Sequence, residues 1–205
     1  MSQPNISVHQ IPTSAKEHVV EFKLIEPVPP FTQPDLSSIR AKWRPPNPDM
    51  VKKNCDGATF KEQKKSSIGV VIWDNNSLVM ASMSKLLPQQ YTPLEIETLA
   101  ASSALEFAVK LGFKQVILET DSQVLSNALR HNSPYLSPLG LLIDDIKCNA
   151  SFFNQLLYSH VKREGNKVAH SLARYSICIF DFSVWIETVL PPFVSLLLAD
   201  MTSFS

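Results

Sequence analysis

The spacing of apolar residues changes along this chain, and the change marks out its elements. Met50–Phe60, Ile68–Trp73 and Leu78–Met83 are short runs with the composition and bounds of strands. The Lys52-Lys53-Asn54 centre of the first run fits a buried strand poorly on pattern alone. Asp74-Asn75-Asn76-Ser77 separates the second and third runs, and its residues tolerate the left-handed backbone of a tight hairpin. Three strands with short connections predict an antiparallel meander. From Thr92 the apolar spacing becomes three and four. Thr92-Pro93-Leu94-Glu95 supplies a capping hydroxyl, a proline at the first helical position and a capping-box glutamate. Gly112 supplies the stop after Leu111. A strand at Val116–Leu118, helices at Ser122–Arg130 and Pro138–Ala150, a strand at Leu156–Val161 and a helix at Asn166–Tyr175 complete the series. The order β-β-β-α-β-α-α-β-α predicts an α/β fold, a mixed sheet with helices on its faces.

Proline sets the first boundary. Nine of the 15 prolines fall in residues 1–48, so residues 1–42 read as an extended proline-rich tail or linker. The folded domain is expected over residues 43–179, with residues 180–205 as an appendage packing on it, Leu196-Leu197-Leu198 supplying a C-terminal helix. No apolar run approaches the roughly 18 residues of a membrane span, and Met1-Ser2-Gln3-Pro4-Asn5 lacks the features of a secretory signal. Cys55, Cys148 and Cys178 match neither a zinc site nor a disulfide framework. An intracellular protein, nuclear or cytoplasmic and monomeric, is the expectation. Net charge is zero, yet residues 40–175 hold 17 basic and 12 acidic side chains between acidic flanks. That middle permits contact with a polyanion without requiring it.

Three carboxylates are out of place. The first helix should bury Leu94, Ala101, Ala104, Leu105, Ala108 and Leu111, and Glu97 falls on the same stripe. It is either a first-turn glutamate favoured by the helix dipole, or one that is paired or bound to a cation. Asp56 interrupts a strand, where aspartate is disfavoured; Gly57 beside it marks a bulge, a strand end or a close approach. Asp121 follows a strand and, in Thr120-Asp121-Ser122-Gln123, also suits a helix cap. Together they sit at one end of a mixed sheet. Like charges that close call for a cation, and oxygen ligands alone favour Mg²⁺. Two such ions about 4 Å apart can activate water and stabilise a leaving oxygen in phosphodiester cleavage.

The chain resembles a type 1 ribonuclease H domain, and most closely the plant ribonuclease H-like domains related to non-LTR retrotransposon reverse transcriptases. The segments that carry the resemblance are Trp43-Arg44-Pro45-Pro46, Lys53-Asn54-Cys55-Asp56-Gly57-Ala58, Gly69–Asp74, Glu97-Thr98-Leu99-Ala100-Ala101, Glu119-Thr120-Asp121-Ser122-Gln123 and His160–Ala173, in family order. The resemblance implies a five-stranded mixed sheet, a three-stranded antiparallel meander plus two parallel strands, flanked by helices. It implies cleavage of the RNA strand of an RNA–DNA hybrid, leaving a 3′-hydroxyl and a 5′-phosphate. Asp56, Glu97 and Asp121 then match the metal-binding catalytic carboxylates, for two Mg²⁺ or Mn²⁺ ions and no small-molecule cofactor. Gly57, Gln123 and Asn166 match substrate-binding positions.

The fourth acidic position of the family falls at His170, which adds no negative charge and suits softer metals than Mg²⁺. It can still serve catalysis as a proton shuttle or an Mn²⁺ ligand. Pro93 and Leu94 stand where cellular members carry substrate-contacting asparagines, and Ser66-Ser67 where a glycine-rich turn is usual. Lys61, Lys64, Lys65, Lys162, Arg163 and Lys167 could meet phosphates. These departures motivate an alternative, a catalytically weak or inactive nucleic-acid-binding module derived from a retroelement.

Overall fold

A computed structural model describes residues 44–131, 138–179 and 182–187. The proline-rich segment 1–42, Trp43 and the expected C-terminal helix lie outside the described residues. The elements are β1 (Val51–Phe60), β2 (Lys65–Trp73), β3 (Val79–Leu87), α1 (Pro93–Lys110), β4 (Gln115–Thr120), α2 (Gln123–Arg130), α3 (Pro138–Asn149), β5 (Gln155–His160), α4 (Lys167–Tyr175) and β6 (Phe182–Ile186). The first nine appear in the expected order. Local chemistry explains their ends. Thr92 and Glu95 close the capping box that starts α1, and Gly112 ends it at φ +80°. Asp74 Oδ1 accepts from the Asn76 and Leu78 amides across the β2–β3 turn, where Ser77 takes the left-handed conformation. Ser66 and Ser67 belong to β2 itself, and the turn before it is Lys61–Lys64.

The sheet runs β5-β4-β1-β2-β3-β6. β1, β4 and β5 are parallel; β1, β2, β3 and β6 are antiparallel neighbours. It is the expected mixed sheet, extended by a sixth strand that pairs with β3 from within the expected C-terminal appendage. Sequence pattern missed β6 because it is short and leaves Phe182, Val184 and Ile186 exposed, so alternation carries no core signal. No described helix is long and apolar enough to cross a membrane.

Period-two alternation divides the core between the two faces. Ile68, Val70 and Ile72 pack with the buried faces of α1, α2 and α3; Val71 and Trp73 pack with Val168, Ala169 and Leu172 of α4. The buried face of α1 is wider than the expected stripe, adding Ile96, Ala100 and Phe107, because the helix packs on both the sheet and α3. The two lysines of β1 also find partners. Lys52 pairs with Glu119 of β4 at 3.2 Å. Lys53, fully buried, donates to the Ala104 carbonyl and lies over the Phe113 ring.

Two glycines set how closely the helices approach. A Cβ on Gly57 would lie 2.8 Å from the Ile96 side chain, so the first turns of α1 press on β1. A Cβ on Gly69 would lie 2.2 Å from the Ala169 carbonyl oxygen, so α4 crosses directly over β2. Ser67 and Ser84 hold it there by donating to the Ala173 and Leu172 carbonyls.

Candidate active site

The parallel register of β1 and β4 ends with Cys55 opposite Thr120. Asp56 is the next residue of β1 and Asp121 the first beyond β4, where the pairing of the two strands stops. The close seat of α1 on Gly57 brings Glu97 to the same place. Ligand oxygens of Asp56, Glu97 and Asp121 all lie within 4.8 Å of one another. Asp56 is buried and the other two are half-buried. The three carboxylates converge at one end of the sheet.

Convergence has an electrostatic cost. Burial, then the charges of Asp56 and Asp121, push the Glu97 carboxyl up to about 9, with a Gly57 backbone hydrogen bond opposing the shift. Burial and Asp56 raise Asp121 as well, against hydrogen bonds from its own backbone and Asn166 and the charge of Arg163. Glu97 Oε2 is buried with no hydrogen-bond partner. An orphaned carboxylate oxygen facing two other carboxylates, with only oxygen donors, fits a hard divalent cation.

The segment from Arg163 to His170 braces this cluster. The Asn166 side-chain amide donates to the Cys55 carbonyl at 3.0 Å and to Asp121 Oδ1 at 3.2 Å, tying β1 to β4 where they separate. Asn166 is itself buried. His170 Nδ1 lies 2.6 Å from Asp56 Oδ2, and its Nε2 lies 3.3 Å from Arg163 Nη2. Gln123 stands two residues past Asp121 on the exposed first turn of α2, bonded to Asn127. Lys162 and Lys167 are exposed, as are Lys61 and Lys64 in the β1–β2 turn.

Sequence reasoning gave no role to Glu119. Its carboxylate accepts from Asn54 at 2.9 Å and pairs with Lys52; Asn54 and Glu119 stand two residues before Asp56 and Asp121. The signal was the two-residue spacing of Asn54 and Asp56, and of Glu119 and Asp121, which places each pair on one face. Arg163, grouped with possible phosphate contacts, instead faces His170.

The sequence profile of the family described as reverse transcriptase-like matches residues 54–176. A search of curated proteins by sequence finds no match. Among solved structures, RNase H1 from the halophilic archaeon Halobacterium salinarum NRC-1 is similar with a TM-score of 0.59 at 24% identity, over 62% of this chain and 97% of that one. The N-terminal RNase H domain of a Mycobacterium tuberculosis protein, solved as a fusion with maltose-binding protein, gives 0.55 at 26% identity, over 61% and 96%. LC11 RNase H1, solved in complex with an RNA/DNA hybrid, gives 0.54 at 21% identity, over 62% and 96%.

Proposed function

The chain belongs to the reverse transcriptase-like family and carries a ribonuclease H-type domain, and from that premise we propose that it is a metal-dependent endonuclease cleaving the RNA strand of RNA–DNA hybrids. The observation that carries this reading is the meeting of Asp56, Glu97 and Asp121 within 4.8 Å where two parallel strands part. A neighbour of the same fold was solved with an RNA/DNA hybrid bound, which supports the same substrate class.

Asp56, Glu97 and Asp121 would hold Mg²⁺ or Mn²⁺. When bound, such an ion supplies charge stabilisation at the scissile phosphate and a more acidic water. The chain's own residues do the positioning. Gly57 N–H holds the Glu97 carboxylate, Asn166 holds Asp121, and His170 holds Asp56. Gln123, on the exposed turn beside Asp121, is offered to the hybrid. Choice of RNA over DNA would rest on 2′-hydroxyl contacts across the minor groove.

The test is cleavage of a hybrid labelled on its RNA strand by the full chain, in Mg²⁺ and separately in Mn²⁺. Asp121→Asn should abolish cleavage while leaving the circular dichroism spectrum unchanged. Equal cleavage by that variant would refute the reading. The alternative, a module that binds hybrids without cutting, rests on His170 in place of a fourth carboxylate; it expects binding and no cleavage in either metal.

A further inference from the structure

We propose that the carboxylate cluster holds one divalent cation per chain, the place of a second ion being taken by the Arg163–His170 pair. The inference rests on the metal-dependent reading above and refines it. Two adjacent ions need donors on both flanks, because each must be held by oxygens or lone pairs the other leaves free. Here the flank beyond Asp56 carries an imidazole and a guanidinium.

Both ring nitrogens of His170 are already committed. Nε2 faces Arg163 Nη2 at 3.3 Å. A guanidinium has five N–H donors and no acceptor, so Nε2 is the lone-pair side of the ring. Nδ1 therefore carries the hydrogen and donates it to Asp56 Oδ2 at 2.6 Å. No imidazole lone pair is turned toward the carboxylates, and one Asp56 oxygen is occupied.

Charge points the same way. Three carboxylates converge, and one dication with the Arg163 guanidinium balances them. A second dication would add two positive charges beside a permanent cation, with no fourth carboxylate to receive it. The pair is also built in rather than incidental. Arg163 lies in the tight turn Arg163–Gly165 and His170 in the first turns of α4. That helix is fixed by its close seat on Gly69 and by the Ser67 and Ser84 hydrogen bonds. Asn166, between the two residues, is anchored to the Cys55 carbonyl.

The experiment is a titration of the full chain with Mn²⁺ alone, followed by electron paramagnetic resonance. Loss of the free-ion signal counts bound ions, and the bound spectrum separates single ions from exchange-coupled pairs. One Mn²⁺ per chain with a single-ion spectrum, abolished in Asp121→Asn, is the expected result. His170→Asp should gain a second ion and a coupled spectrum, and Arg163→Gln should admit a second, weaker ion.

Two ions with a coupled spectrum in the parent would overturn the inference while leaving the metal-dependent reading intact. No second ion in either folded variant would overturn the role given to the pair. A folded parent that binds no Mn²⁺ would overturn the inference and the metal-dependent reading together, and its hybrid cleavage in Mg²⁺ would then be absent. The parent count alone decides the proposal should a variant fail to fold.

Discussion

At the scale of single residues, the half-buried Glu97 and the buried Lys53 set opposite pH dependences. Glu97 titrates at about 9 in the folded chain, against 4.5 when unperturbed. A carboxyl raised on folding keeps its full stabilisation below the unfolded value, and loses it as pH climbs toward the folded one. Lys53 is lowered by burial from 10.5 to about 7. The unfolded chain binds the extra proton between those values, so this group makes stability rise with pH across that window. Between pH 7 and 9 the two slopes oppose. Urea denaturation should therefore show Glu97→Gln gaining stability from pH 7 to 9 and Lys53→Met losing it, with the parent between them. Lys53→Met should also be more stable than the parent at pH 7, because a buried amine that carries charge there gives way to an apolar side chain. A parallel slope in both variants would contradict these assignments. Cation binding supplies an independent check on Glu97. A metal that binds only the folded state adds about 2.7 kcal/mol at a hundredfold excess over its Kd. Mg²⁺ should raise the Tm of the parent, and by much less than half as much in Glu97→Gln.

At the scale of elements, the site depends on how helices are seated rather than on the helices themselves. Gly69→Ala would set a methyl 2.2 Å from the Ala169 carbonyl oxygen and 2.3 Å from the Ala173 nitrogen. Both are backbone atoms of α4, so the helix must move, at a cost of about 1–3 kcal/mol by the usual scale of overpacking. The midpoint of urea unfolding should fall accordingly, and hybrid cleavage should fall further than stability, because α4 carries His170. Glu119→Ala would remove the carboxylate partner of Lys52 and leave its ammonium on the Arg44 carbonyl, so the midpoint of urea unfolding should fall, by less than the roughly 3–5 kcal/mol of a buried charge left alone. These contacts also show how far sequence pattern reaches. The capping box at Thr92, the Gly112 stop and the apolar run of β2 were legible because each is a local signal. Strand β1 was doubtful because Lys52 and Lys53 look exposed in one dimension; their partners Glu119 and Ala104 come from other elements. β6 was invisible for the opposite reason, since Phe182, Val184 and Ile186 face outward, only Trp185 reaches the core, and its pairing with β3 is set at long range. The carboxylates were legible as anomalies, whereas the Asn166 bridge from Cys55 to Asp121 belongs to packing alone.

At the scale of the whole molecule, the excess of basic residues in 40–175 overstates the charge available to a polyanion. Lys52 is spent on Glu119, Lys53 is buried in the core, and Arg163 faces His170. Lys162 and Lys167 remain exposed on either side of the segment that braces the carboxylates. Lys110 is exposed too, but stands 13 residues along α1 from Glu97, about 20 Å at 1.5 Å per residue. If the hybrid lies across the carboxylates, its phosphates meet the first two lysines and not the third. Each phosphate contact releases counterions, and losing one lowers the slope of log affinity against log salt by about 1. Lys162→Gln and Lys167→Gln should each lower the slope by that amount in equilibrium binding to a hybrid, measured with Asp121→Asn so that no RNA is cut. Lys110→Gln should leave it unchanged. Because the slope counts phosphates and not turnover, the prediction holds for a chain that cuts and for one that only binds. Equal slopes in all three variants would place the nucleic acid on a different surface.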